Sequence, residues 1–173
     1  RISKSPAVYD VKKLNWMNFQ YLKKMEAEKY INFIKPFLAK AYNLEDKSEE
    51  WVDKLILLYQ NHINYGEEIV KEVDLFFKDE ITLNAECQEF MNSEGILNTL
   101  KVFTEKIKSI STWDIDSINN IINEVKEEAN VKGKMLYMPL RIATSGQMHG
   151  PELPDTIYLL GKEKVLKRLE SWK

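Results

Sequence analysis

The chain has 173 residues, of which 44% are hydrophobic and 11% aromatic, enough to bury one ordinary core or two small ones and too apolar for disorder. A formal charge of −2 excludes a uniform basic field for a polyanion, and the single Cys87 excludes an intrachain disulfide and fits a reducing compartment. With only His62 and His149 as histidines, a zinc site built from Cys and His is excluded as well. Gly (6) and Pro (5) are scarce, which favours helices over sheets.

In chain order, Asp10 is placed to cap a helix with Val11, Leu14, Met17, Tyr21 and Leu22 along one side. A second helical pattern carries Tyr30, Ile31, Ile34, Phe37, Leu38 and Ala41, and Pro36 inside it predicts a kink or a division. Ser48 caps a third, where Trp51, Val52, Leu55, Leu58, Tyr59 and His62 share a face. After Gly66, the pattern is repeated by Ile69, Val70, Val73, Phe76 and Phe77. It breaks over residues 78–84, where the boundary between two helical subdomains, 1–80 and 81–173, is expected.

Beyond the break, residues 90–110 read as helix interrupted near Gly95, and Asp114 or Asp116 caps a regular stripe of Ile118, Ile121, Ile122, Val125 and Ala129. Lys132-Gly133-Lys134 is expected to end that helix, with Gly133 as its C-terminal cap. A short apolar segment, residues 135–143, leads into Thr144-Ser145-Gly146-Gln147-Met148-His149-Gly150-Pro151. Pro151 and Pro154 favour the first turn of a helix through Ile157, Leu159 and Leu160, and a last helix carries Val165, Leu166 and Leu169. No strand alternation, internal repeat or low-complexity linker is present, so the fold class is all-α. No apolar run of roughly 18 residues and no signal-peptide pattern occurs. Beginning at Arg1 without a methionine, the chain reads as a piece of a longer protein.

Charge is unevenly spread. From Val131 onward eight Lys and Arg stand against four Asp and Glu, a net of +4, while the rest of the chain carries −6. A basic C-terminal third can present one face to phosphate, or it can be ordinary surface variation. No phosphate-binding loop, nucleophile elbow or His-Glu-x-x-His is present, and Cys87 with His62 reads as packing, not as a nucleophile and its base. Arg141, between Leu140 and Ile142 and close to a Gly-rich turn, can hold a base edge or phosphate through its planar fork, or pair with a helix C-terminus. Gln147 and His149 are either turn-stabilising groups or base contacts.

Residues 131–154, Val-Lys-Gly-Lys-Met-Leu-Tyr-Met-Pro-Leu-Arg-Ile-Ala-Thr-Ser-Gly-Gln-Met-His-Gly-Pro-Glu-Leu-Pro, resemble the C-terminal signature of bacterial-type glutamyl-tRNA synthetases. So do residues 159–169, Leu-Leu-Gly-Lys-Glu-Lys-Val-Leu-Lys-Arg-Leu. Residues 3–10, Ser-Lys-Ser-Pro-Ala-Val-Tyr-Asp, and 13–18, Lys-Leu-Asn-Trp-Met-Asn, resemble the start of that family's anticodon-binding region. Residues 40–130 match mainly in helical pattern. By contrast, Ile2-Ser3-Lys4-Ser5 lacks the leading Lys-Met and the context of that class's ATP-handling Lys-Met-Ser-Lys-Ser loop, and reads as a linker with Arg1 and Lys4 as its basic residues.

The resemblance implies two consecutive α-helical subdomains forming an α-helix cage around the anticodon loop of glutamate tRNA. The catalytic nucleotide fold, with its ATP and Mg, would lie upstream, leaving this segment without a cofactor. It implies that Arg141 contacts an anticodon base and that Gly150, Pro151 and Leu153 line the pocket for the first one. Gly150 stands where some members have threonine, so the hydroxyl's contact is lost or passes to His149 or Gln147. Near the arginine that reads the third base in discriminating members stand Gln60, Asn61 and His62, with His62 the best match. His62 can donate to a cytosine carbonyl, and it also continues the Leu55–Tyr59 stripe as a packing residue. Phosphate contacts fall to Lys132, Lys134 and Arg141. The expected partner is thus glutamate tRNA, with no DNA and no membrane, for a cytoplasmic monomer. The rival reading is a helical protein-interaction scaffold without RNA binding.

Overall fold

The computed structural model describes residues 10–172, and the linker reading of residues 1–5 lies outside them. The described residues form eleven helices and no strand. They group into two units, one ending at Glu72 and the other beginning at Val73.

The first unit holds α1 (Val11–Lys24), α2 (Ala27–Ala41), α3 (Glu49–Leu58) and α4 (Glu68–Glu72). Asp10 caps α1 through the amides of Lys12 and Lys13, and Ser48 caps α3 through that of Trp51. α2 packs on α3 and α4 around Tyr30, Ile34, Leu38, Leu55, Ile56 and Ile69, all fully buried. α2 is undivided by Pro36, which is exposed on its outer side. The side of α1 expected to be buried is mostly open: Val11, Leu14, Met17 and Tyr21 are exposed, and only Leu22 is buried. α1 is held at its C-terminal end, where Gln60 donates to the carbonyls of Leu22 and Met25, both at 2.9 Å. α3 stops at Leu58, so His62 lies in the turn that follows, not on the helix.

The second unit holds α5 (Asp74–Phe77), α6 (Ala85–Met91), α7 (Ile96–Ser109), α8 (Ile115–Glu128), α9 (Lys134–Ser145), α10 (Leu153–Leu160) and α11 (Lys162–Glu170). α7 packs on α8, α9 and α11, and α10 closes over α8, α9 and α11, around Phe103, Ile107, Ile118, Val125, Leu140, Ile157 and Val165. Each such side chain contributes about 1.5–3 kcal/mol by burial. Asp114, not Asp116, caps α8, its carboxylate accepting from Ser117 N–H at 2.7 Å and held below the usual aspartate range by that bond. The interruption near Gly95 is real, and Gly95 has φ 85° at the head of α7.

Two local expectations fail, and one segment left without an element gains one. α8 is closed by Asn130, not Gly133: Asn130 adopts φ 52° and lets Val131 N–H reach back to Lys126 O at 3.1 Å. Gly133 instead heads α9, its carbonyl accepting from Leu136 and Tyr137. The short apolar segment 135–143 is the body of α9, which runs through a buried Pro139. At α10, Pro154 does sit in the first turn, but Pro151 precedes the helix.

The break expected after residue 80 differs from the division at Glu72, because residues 75–79 are bound into the second unit. Arg168 donates to the carbonyls of Leu75, Lys78 and Asp79, and Lys164 to those of Phe76 and Lys78.

Candidate nucleic-acid interface

α9 is the platform of the site. Its last turn is completed locally: Gly146, at φ 75°, donates its N–H to Ile142 O at 2.8 Å, a conformation that glycine adopts at no steric cost. Ser145 Oγ donates to Arg141 O at 2.7 Å and accepts from Gln147 N–H at 3.2 Å, which turns the chain out of the helix. Thr144 Oγ1 donates to Leu140 O at 2.7 Å. Gly146 also backs onto Ile81, where a β-carbon would come within 3.1 Å, and its carbonyl lies 3.6 Å from the buried Cys87 thiol.

The loop then brings Gly150 back over the helix. Its φ is 157°, and a β-carbon there would lie 3.1 Å from Arg141 Nη1 and 3.8 Å from Gln147 Oε1. Arg141, Gln147 and Gly150 therefore meet at one point, and the missing side chain makes room for the guanidinium. A larger residue at 150 has to displace it. Arg141 and Gln147 are half-buried, while His149 and Gly150 are exposed. Fixed donors and an amide, on a turn open to solvent, form a surface suited to the edge of an unstacked base.

The other expected residues divide. Pro151 is buried and Leu153 is only 4% exposed, so both support the loop from beneath more than they wall an open pocket. Lys132 and Lys134 are exposed, with the Lys134 ammonium 5.1 Å from the centre of the Phe90 ring. His62 belongs to the first unit and is exposed, with its ring edge-on to Tyr59 at 6.1 Å. Its neighbour Gln60 is occupied at the end of α1, which leaves Asn61 and His62 as the open side chains of that turn.

Two residues escaped sequence reading. Tyr137 is 47% exposed one turn before Arg141 on the same face of α9, and the i, i+4 spacing was the available signal. Arg168 is 3% exposed and donates through its guanidinium to four backbone carbonyls, those of Leu75, Lys78, Asp79 and Thr144. Burial pushes its pKa down to about 10, against the opposing pull of Asp79, so it keeps its charge at neutral pH.

Comparison with known proteins gives the family and the fold. The model of the anticodon binding domain matches residues 26–173. The chain belongs to the anticodon-binding-domain family. It is 46% identical to a glutamate–tRNA ligase of Bacillus licheniformis and 42% identical to that of Bacillus subtilis, in each case over 99% of this chain and 36% of the relative. It thus spans about a third of the length of those relatives. Two solved structures share the architecture over 95% of this chain and 32% of theirs. A glutamate tRNA ligase of Elizabethkingia meningosepticum, in complex with its amino acid, has a TM-score of 0.82 at 24% identity. The glutamate-tRNA synthetase of Elizabethkingia anophelis has a TM-score of 0.76 at 25% identity. Among the described residues of this anticodon-binding domain, no group of three or more His, Cys, Asp or Glu is placed to hold a metal ion, and no helix is long and apolar enough to cross a membrane.

Proposed function

We propose that this chain reads the anticodon loop of glutamate tRNA on behalf of a glutamate–tRNA ligase. The observation that carries the reading is the convergence of Arg141, Gln147 and Gly150 on one exposed turn, in a chain whose family binds anticodons. Anticodon bases are single-stranded and can be splayed, so their edges are free for the guanidinium fork and the Gln147 amide. Tyr137, exposed beside Arg141, offers a flat face on which a base can stack. Lys132 and Lys134 add phosphate contacts at the start of the same helix. In the first unit, His62 stands open to donate to a third base.

The same reading makes the parent a cytoplasmic, monomeric enzyme that attaches glutamate with ATP and Mg. Those groups would be held in the part of its relatives that this chain does not span.

The test is a titration of the chain with glutamate tRNA and with the same tRNA carrying a changed anticodon. Native tRNA is expected to bind more tightly, and Arg141→Ala is expected to remove about 1–3 kcal/mol of that preference. Equal binding of the two tRNAs by the unaltered chain would return the molecule to the scaffold reading.

A further inference from the structure

The last helix ends other helices. The ammonium of Lys162 donates to the carbonyls of Lys108 and Ile110, in the last turn and at the C-cap of α7, at 3.2 and 3.1 Å. Lys164 donates to Phe76 O and Lys78 O, at the end of α5, at 2.8 and 3.0 Å. Arg168 does the same for two elements at once. Its Nη2 takes Leu75 O and Lys78 O at 2.6 and 2.8 Å, its Nε takes Asp79 O at 3.4 Å, and its Nη1 takes Thr144 O in the last turn of α9. Helix C-termini leave carbonyls unpaired and carry partial negative charge, so a buried cation is well matched to them.

Thr144 is the sensitive acceptor. It lies three residues after Arg141 and three before Gln147. The neighbouring carbonyls of α9 are satisfied locally, Arg141 O by Ser145 Oγ and Ile142 O by Gly146 N–H, whereas Thr144 O takes a donor from 24 residues away. A guanidinium is planar and its donors point in fixed directions, so four acceptors on one fork fix their mutual geometry. Ile81 and Cys87, from the stretch that follows residue 79, also lie against Gly146.

We propose that Arg168 is a positioning residue of the anticodon site: it touches no base, but sets the turn that holds Arg141, Gln147 and Gly150 together. The inference rests on the anticodon reading above. Lysine at 168 can supply the charge but not the fork, and loss of the Thr144 contact frees the last turn of α9 and lets the loop drift from Arg141.

The experiment compares Arg168→Lys with Lys162→Met, which releases carbonyls at α7 instead. Three quantities are read on the 173-residue chain: the unfolding midpoint, the ratio of Kd for changed-anticodon and native glutamate tRNA, and amide exchange over residues 146–150. Both variants are expected to lower the midpoint. Only Arg168→Lys is expected to reduce the Kd ratio, by about tenfold (the scale of one lost base contact), and to speed exchange in the loop. An Arg168→Lys chain with the original ratio and original exchange overturns the proposal.

If the unaltered chain shows no anticodon preference, the anticodon reading fails by itself, and exchange alone decides whether Arg168 holds the loop. If Arg168→Lys does not fold, exchange of the unaltered chain in mild denaturant decides. The Arg168 Nε–H and the loop amides are then expected to open in one event, and separate openings refute the link.

Discussion

Residues 132–150 and residues 162–168 are both basic, both lie in the second unit, and both belong to the third of the chain that carries a net charge of +4. They use that charge in opposite ways. In the first stretch Lys132 and Lys134 stand in solvent and Arg141 lies half-buried against a glycine, at a turn open to a ligand. In the second, Lys162, Lys164 and Arg168 direct their charges onto backbone carbonyls at the ends of three other helices. The sign of a segment's charge therefore says little about its partner. What decides is whether the long aliphatic stem finds an unpaired helix end within reach. Part of the surplus that resembles a phosphate-binding face is internal scaffolding, and the recognition surface we propose is smaller and more local than the charge count implies.

The difference predicts opposite responses to mutation. The largest is expected at Arg168. Arg168→Met leaves carbonyls of two helix ends without donors in a buried site and should cost about 3 kcal/mol or more, measured as a fall in the urea midpoint at unchanged m-value. If the loss stays below about 0.5 kcal/mol, the inward use of charge is refuted. Next is Gly150→Ala. Its β-carbon meets the Arg141 guanidinium, and the φ of 157° disfavours any side chain. A loss of about 1 kcal/mol in stability is expected, together with weaker anticodon preference as the guanidinium moves. A variant that keeps full preference would detach Gly150 from the readout. The smallest effect is expected at Lys134→Ala, which should reduce the slope of log K against log salt by about 0.7 and leave both stability and anticodon preference nearly unchanged. A flat response would remove Lys134 from the phosphate contacts.

How much of this was legible in the sequence follows from the range of each interaction. Caps at Asp10, Ser48 and Asp114 act on amides two or three residues away, so residue type and spacing reveal them. The stripe of α8 likewise repeats within one helix and was legible from Ile118 to Val125, while Ala129 falls at the helix end and is half-buried. α9 was obscured because Pro139 removes an amide inside a helix whose burial compensates for the loss, and no local pattern reports that compensation. Asn130 takes the capping role expected of Gly133 because either residue type tolerates positive φ, and only the register of the preceding helix decides between them. The side of α1 misled because apolar spacing shows a face without showing what covers it.

The site was partly legible in the same sense. Arg141, Gln147 and Gly150 fall within ten residues and were singled out together, although their meeting point depends on the turn at Gly146. Arg168 was not legible at all. Its acceptors lie 24, 89, 90 and 93 residues away, and nothing in a run such as Lys-Arg-Leu announces them. Chain length outside the segment carried that information.

The contrast between the two basic stretches is tested most directly by mapping where an anticodon stem–loop of glutamate tRNA lands on the chain. In a titration followed by backbone and Arg Nε nuclear magnetic resonance signals, the largest shifts are predicted at Arg141 Nε and at the amides of Gln147, His149 and Gly150. Lys162 and Lys164 are predicted to show little change. Shifts centred on α11, with residues 141–150 unmoved, would contradict the assignment of recognition to one basic stretch and scaffolding to the other.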